Sequence, residues 1–274
     1  MLSRYIGTIR IEGKAESTLR RYWEQILKLI QFLQKPLHEI TTDDIRFYMA
    51  YRRQQGRVSN RTLDGMRRCY RSFFSWLSAE GIISRNPCAA LNQIKSRKQI
   101  KKPYSAVELE LIRKSCTDDR DLALVEFLYS TGCRVSEVSE LDTVDIDMAT
   151  GECIVIGKGN KERTVYLTDV AMLHLQTYLN SRTDNSIALF AGKGTPRLTK
   201  GGIETLLKRI GRAAGVENVH PHRFRRTLAT NLLDRGMNIQ DVAMILGHAD
   251  LKTTQIYCYI TQTNVKSAYR KYAA

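Results

Sequence analysis

The sequence predicts a mostly α-helical protein in two parts, with one small antiparallel β-sheet in the second part. Three observations carry this. Apolar residues recur at helical spacing through most of the 274-residue chain. Only around 144–167 does the pattern become β-rich, with a Gly159-Asn160 turn signal inside it. Between the halves runs 95–103, basic, nearly free of apolar residues and stopped by Pro103. That run places a linker at 98–103, between domains spanning 1–97 and 104–274.

The first part reads as helices. Ser17 is positioned to cap a helix reaching about Gln34, with Leu19, Trp23, Ile26, Leu27 and Ile30 on one face. Thr41 or Thr42 opens the next, where Asp43 and Asp44 complement the helix dipole. The clearest helix runs over 59–80. Leu63, Met66, Tyr70, Phe73, Phe74 and Leu77 form its core stripe, and Gly81 ends it. Arg61, Arg68 and Arg71, with Ser72 and Ser75, fall on the other side.

The second part opens on a capping-box spacing, Ser105-x-x-Glu108. Helices are expected over 118–130, ended by Gly132, and over 135–141. Strands follow at 144–148, 153–156 and 164–167. Helical patterns then cover 169–181, 199–213, 221–235 and 239–246. A tail helix is expected over about 263–272, with Val265, Ala268, Tyr269 and Tyr272 on one face.

Charge narrows the partner. Lys and Arg total 43 against 28 Asp and Glu, a net +15. Residues 1–100 alone carry 19 basic and 8 acidic groups, so most of the excess lies in the first part. Such a balance calls for a polyanion, nucleic acid or an anionic membrane. The chain has no apolar stretch approaching a membrane span, and its first residues lack a signal-peptide core. Nucleic acid is therefore expected, in a cytoplasmic setting and with no membrane partner. Cys69, Cys88, Cys116, Cys133, Cys153 and Cys258 are scattered without zinc-ligand spacing, so reduced thiols and no metal or other cofactor are expected.

The chemistry-bearing clusters lie in the second part, in a fixed order. They are Thr131-Gly132-Cys133-Arg134 with Ser136-Glu137, then Gly157-Lys158-Gly159-Asn160-Lys161-Glu162-Arg163, then His220-Pro221-His222-x-x-Arg225. Leu246-Gly247-His248 and Thr253-Thr254-Gln255-Ile256-Tyr257 complete the set. Two Arg, one Lys and two His converging on a Tyr are the parts needed to attack a phosphodiester without a metal. The charge is clamped, a proton reaches the leaving oxygen, and a nucleophile is held in line.

In that order and local setting, the clusters resemble the tyrosine site-specific recombinases, the integrase family, in its Xer-like form without an arm-binding domain. The resemblance covers all of 104–274. The first part is similar to the family's helical, SAM-like core-binding domain in size, placement and charge. The resemblance implies a catalytic set of Arg134, Lys158, His222, Arg225, His248 and Tyr257. Tyr257 would be the nucleophile, forming a 3′-phosphotyrosine and freeing a 5′-hydroxyl. Arg134 and Arg225 would clamp the phosphate and Lys158 would protonate the leaving oxygen. His222 would act as acid/base or phosphate donor, and His248 would donate to the phosphate.

Neighbouring groups compete for these roles. Lys161 follows Lys158, and the family's lysine between two glycines selects Lys158. His220 precedes His222, and the His-x-x-Arg spacing selects His222. Arg226 follows Arg225 where many relatives have His, which leaves two adjacent arginines able to reach phosphate. Tyr259 follows Tyr257 and is assigned to structure. Glu137 is expected to form an ion pair or to orient a site residue. Candidate DNA contacts are Arg61, Arg68, Arg71, Lys95, Arg97, Lys98, Lys101 and Lys102.

The resemblance further implies double-stranded DNA with paired recombination sites as the partner. It implies a homotetramer on DNA, monomeric or weakly associated when free, that exchanges strands through a Holliday junction. Two other readings fit related scaffolds: a type IB-like topoisomerase and a non-catalytic DNA-binding regulator.

Overall fold

The computed structural model describes residues 1–56, 58–96, 102–157, 161–248 and 250–258, the side chains of Lys252, Ile256, Tyr257 and Cys258 excepted. The chain divides into two compact units, Met1–Gln99 and Ile100–Ala274, each with its own core. Of the expected features, Arg97, Lys98, Lys101, Lys158, the Gly159-Asn160 turn, Tyr259 and the tail helix at 263–272 lie outside the described residues.

In the first unit, α1 (Leu2–Ile11), α2 (Glu16–Leu33), α3 (Thr42–Gln54) and α4 (Asn60–Ala79) surround one core. Helix α4 is its axis. Ser59 caps it by accepting from the Thr62 amide, and its expected stripe of Leu63, Met66, Tyr70, Phe73, Phe74 and Leu77 is wholly buried. Tyr5 of α1 meets Phe73 edge-on, ring centroids 5.2 Å apart, and its hydroxyl donates to Ser72 at 2.8 Å. Helix α3 starts at Thr41 with a reciprocal capping box to Asp44, which decides between the two threonines.

One reading of this unit needs correction, and one helix stands where the sequence pattern gave none. Helix α1 was not expected, because ten residues including Ile, Thr and Gly make a weak helix by propensity. Packing of Tyr5, Ile6 and Ile9 into the core supplies what propensity lacks. Helix α2 begins after Ala15, not at Ser17, with Glu16 in its first turn ion-paired to Arg10 at 3.0 Å. Its buried face centres on Leu19, Ile26 and Leu29, and Trp23 stays 38% exposed. The stripe turns toward Tyr22, which stacks on Tyr5.

The second unit contains α5 (Ala106–Lys114), α6 (Asp119–Thr131), α7 (Val135–Glu140), α8 (Asp169–Ser181) and α9 (Lys200–Ala213). Helices α10 (Pro221–Asp234), α11 (Ile239–Leu246) and α12 (Leu251–Cys258) follow. Helix α6 lies in the middle, against α8 and α10, with Ala123, Leu124, Phe127 and Leu128 fully buried. The predicted capping box at Ser105 and Glu108 is present, and Pro221 sits in the first turn of α10.

The sheet is antiparallel in the order β1 (Ile146–Asp147), β2 (Glu152–Ile156), β3 (Glu162–Tyr166). Cys153 pairs with Ile146 on one side and Val165 on the other, and all three face the core. Val144 is not in a strand. Asp142 and Asp145 cap each other across a single helical turn at Thr143–Asp145, which leaves Val144 87% exposed and shortens β1 to two residues. Helix α12 was also unexpected. Its eight residues, rich in Thr, give a weak pattern alone, but it lies against α10 and α11 with Thr254 fully buried. Among the described residues no helix is long and apolar enough to cross a membrane.

Candidate active site

The site is built at the C-terminal end of α11. Helix α6 ends at Gly132, which takes the left-handed conformation (φ +60°). A Cβ there would meet Leu228 Cδ2 at 2.9 Å and Leu246 Cδ2 at 3.0 Å, so glycine lets α6 stop against α10 and α11. Two residues later Arg134 occupies the N-cap position of α7. Its backbone amide and Nη1 both donate to Glu137 at 2.7 Å, and its Nη2 donates to the Gly247 carbonyl at 3.0 Å.

Arg225 reaches the same place from α10. Its Nη1 donates to the Gly132 carbonyl at 2.8 Å and its Nη2 to the Leu246 carbonyl, and the residue is 4% exposed. The neighbouring arginines face elsewhere. Arg223 stacks over the Tyr104 ring and pairs with Glu108 at 2.6 Å, and Arg226 donates to the Lys102 carbonyl at 3.4 Å. Of the two adjacent arginines, Arg225 is therefore the one that enters the site.

Gly247 ends α11 in the left-handed conformation (φ +62°), and the His248 amide donates back to Ala243 at 2.9 Å. This C-cap turns the His248 ring toward α12, where Nδ1 lies 2.7 Å from the Thr254 hydroxyl. Burial, then the charges of Arg225, Arg134 and Arg163, push the imidazole down to about 4. At neutral pH the ring is therefore uncharged.

Glu137 holds the cations together. It is 5% exposed and accepts from Arg163 at 2.9 and 2.8 Å as well as from Arg134. Burial alone would raise its pKa, but hydrogen bonds from Arg163 and Arg134 outweigh burial and hold it at about 2. The expectation of an ion pair and that of an orienting role describe the same carboxylate.

The structure thus brings Arg134, Arg225 and His248 together. His222 stands exposed in the first turn of α10, its ring 6.4 Å from that of His220. Tyr257 lies on α12 three residues beyond Thr254. Lys158 belongs to the segment between β2 and β3; Lys161 at the edge of that segment is exposed. Sequence reasoning left Arg163 and Thr254 without roles, although both lie inside the quoted clusters. The Arg134-x-x-Glu137 spacing was the signal for Glu137.

Of the expected DNA contacts, Arg61, Arg68, Arg71, Lys95 and Lys102 are exposed. The face carrying the first three is less open than the sequence suggested. Arg68 lies 3.4 Å from Asp64, four residues earlier, and Arg71 donates to the Ala89 carbonyl at 3.1 Å. Ser75 is taken up by Asn86 at 2.8 Å.

Residues 96–263 match the phage integrase family, and residues 1–82 match the N-terminal SAM-like domain of phage integrases. A tyrosine recombinase XerC from Oceanobacillus iheyensis is 33% identical, covering 97% of this chain and 93% of the relative. The crystal structure of XerA recombinase is similar over 100% of this chain and 98% of that one, with 27% identity and a TM-score of 0.58. The Tn1549 transposon integrase in complex with transposon right end DNA shares the fold, with a TM-score of 0.80 at 18% identity over 100% of this chain and 99% of that one.

Proposed function

The chain belongs to the phage integrase family of tyrosine recombinases, and on that premise we propose that it is a site-specific DNA recombinase that cuts and rejoins DNA through Tyr257. The observation that carries the reading is the convergence of Arg134, Arg225 and a neutral His248 at the end of α11, beside the helix that bears Tyr257.

In the proposed reaction the Tyr257 phenolic oxygen bonds to the scissile phosphorus. The bond from phosphorus to the 5′ oxygen breaks, and that oxygen takes a proton from the Lys158 ammonium. The phenolic proton passes to His222 or to solvent. The transition state carries one negative charge more than the diester. Arg134 and Arg225 lie where always-charged, forked donors can take it up. In the tautomer in which the Thr254 hydroxyl donates to Nδ1, His248 carries its proton on Nε2 and offers it to a phosphate oxygen. Attack by the freed 5′-hydroxyl reverses the steps, so the phosphotyrosine conserves the bond energy.

The DNA partner follows from the family and the charge: the first unit, with Arg61, Arg68, Arg71 and Lys95, tracks the backbone together with the segment at 97–102. Assembly of four copies on two paired sites, through a Holliday junction, completes the proposal. The tail at 263–274 is the segment proposed to link neighbouring copies.

The direct test is a nicked suicide duplex built from any inverted repeats that flank the gene. Covalent protein–DNA adduct mapped to Tyr257 supports the reading. Binding without adduct would leave a non-catalytic regulator, and relaxation of plasmids lacking the repeats would favour a topoisomerase.

Two further results are expected. Lys158→Ala slows cleavage of an ordinary duplex by about 10²–10⁴-fold, the usual worth of a general acid. The defect shrinks on a 5′-bridging phosphorothiolate, whose sulfur leaves without a proton. Lys161→Ala shows no such pattern, and equal defects on both substrates would remove Lys158 from the acid role.

Replacing Arg61, Arg68 and Arg71 together lowers the slope of log affinity against log salt by up to about 3, roughly 0.9 for each phosphate that is no longer neutralised. Arg68 and Arg71 are partly engaged within the unit, so a fall nearer 1 assigns the phosphate to Arg61. A slope equal to that of the wild type shows that this face meets solvent only.

A further inference from the structure

We propose that Arg163 is a positioning residue for this site: it locks the base of the β2–β3 hairpin onto the C-terminal end of α11 and so sets where Arg134 and His248 stand. The inference rests on the recombinase reading above. It starts from three successive carbonyls. Ile245 accepts from Arg163, Leu246 from Arg225 and Gly247 from Arg134, so three guanidiniums from three different elements take the last peptide oxygens of one helix. These oxygens are the negative end of the helix dipole and have no intrahelical partner, which is why cations gather there.

The three arginines are not equivalent. Arg134 keeps 28% of its side chain exposed and stands at the mouth of the site. Arg163 is 11% exposed, and all three of its nitrogens are committed inward. Its Nε donates to Ile245 at 2.9 Å, and Nη1 and Nη2 make a two-point contact with Glu137 at 2.9 and 2.8 Å. Its charge is matched by Glu137, so it has a supporting place behind Arg134, whereas the Nη groups of the still more buried Arg225 donate to the neutral Gly132 and Leu246 carbonyls. Through Glu137 it also holds Arg134, since the same carboxylate accepts both.

Two glycines record the close fit. A Cβ on Gly247 would meet the Arg163 Cδ at 2.9 Å and its Nε at 3.1 Å, so the residue before His248 is bare where the arginine arm crosses it. A Cβ on Gly157, at the exit of β2, would lie 3.4 Å from Arg163 Nη1 and 3.7 Å from Glu137 Oε1. The Gly157 amide also donates to the Lys161 carbonyl at 2.8 Å, which closes the hairpin base beside the same pair. One side chain thus ties β3, α7 and α11 into a single frame. Lysine cannot make the same three directed bonds, because its ammonium is a point charge without a planar fork.

The test compares Arg163→Met and Arg163→Lys with wild type and Tyr257→Phe, all as full chains. Adduct formation is followed in a single turnover on the nicked suicide duplex, and DNA affinity is measured separately. Arg163→Met is expected to slow adduct formation by roughly 30–100-fold, the scale of a site displaced by about 1 Å. Affinity stays within about 2-fold because Arg163 meets no phosphate, and Arg163→Lys recovers part of the rate.

Gly247→Ala, which pushes the same arm aside from the other side, shows the same split between rate and affinity. The His248 ring is faced by Arg134, Arg163, Arg225 and the Thr254 hydroxyl. Its NMR titration should move to higher pH in Arg163→Met.

A folded Arg163→Met that cleaves at the wild-type rate overturns the inference. So does a loss of affinity that matches the loss of rate, because Arg163 would then be a phosphate contact. If Arg163→Met does not fold, Gly247→Ala and Arg163→Lys decide it: wild-type rates in both would overturn it. Should wild type itself form no adduct, the recombinase reading fails, while the His248 titration in Arg163→Lys, which keeps the charge and loses the fork, still reports on the positioning.

Discussion

Tyr257→Phe forms no covalent adduct with DNA and binds its site as tightly as wild type, within about 2-fold. The substitution removes one oxygen and keeps the ring, so contacts that hold the duplex are spared. Chemistry is lost because the proposed first step needs that oxygen to bond to phosphorus, and the expected fall in cleavage is on the order of 10⁴-fold or more. A free tyrosine titrates near a pKa of about 10 and attacks poorly, so in the proposed reaction the cations of the site matter as much as the oxygen itself. They are set out by the helix ends described above, and α12 carries Tyr257 three residues beyond the Thr254 that engages His248. Denaturing-gel detection of trapped adduct checks the prediction. Adduct from Tyr257→Phe would move the nucleophile elsewhere, with Tyr259 the next residue to replace.

Glu137→Ala destabilises the second unit by about 3–5 kcal/mol, the usual cost of removing one partner from a buried charge network. Glu137 holds two arginines at once, and its loss leaves Arg163, 11% exposed, facing no carboxylate. Urea denaturation of the full chain measures the change, and a loss below about 1 kcal/mol would show the network to be solvent-relaxed.

The same carboxylate gives a signature in pH. Its folded pKa of about 2 lies below the ordinary 4.5, so its contribution is complete above 4.5 and fades as pH falls toward 2. A shift of that size is worth about 3 kcal/mol. His248, held at about 4 against an ordinary 6.5, contributes stability above 6.5 that is lost as pH falls toward 4. Wild type should therefore lose stability in two stages on acidification, and Glu137→Ala should lack the lower one. Retention of both stages in the variant would assign the lower one to other carboxylates.

The parts of the fold legible in the sequence were those with a long, one-sided apolar stripe or a marked boundary. Helix α4 shows both, since its stripe and its Ser59 cap stand where the pattern put them. Helices α8 and α11 also match the sequence pattern residue for residue, at Asp169–Ser181 and Ile239–Leu246. Elements that failed are short or weak in propensity. Helices α1 and α12 exist because neighbours bury Tyr5, Ile9 and Thr254, and no local pattern announces such a partner.

By itself, the sequence determined the family and the mostly helical class with its small sheet, and it singled out the residues proposed as catalytic, because residue type and spacing are linear properties. Only the tertiary structure decided how they are held. Arg225, and not Arg223 or Arg226, faces the end of α11, because the turn of α10 sends three nearby arginines to three different neighbours. Likewise, Glu137, Arg163 and Ile245 lie far apart along the chain and meet only when β3, α7 and α11 close on one another. A buried carboxylate shared by two guanidiniums depends on distance and desolvation, and those exist only once the chain has folded.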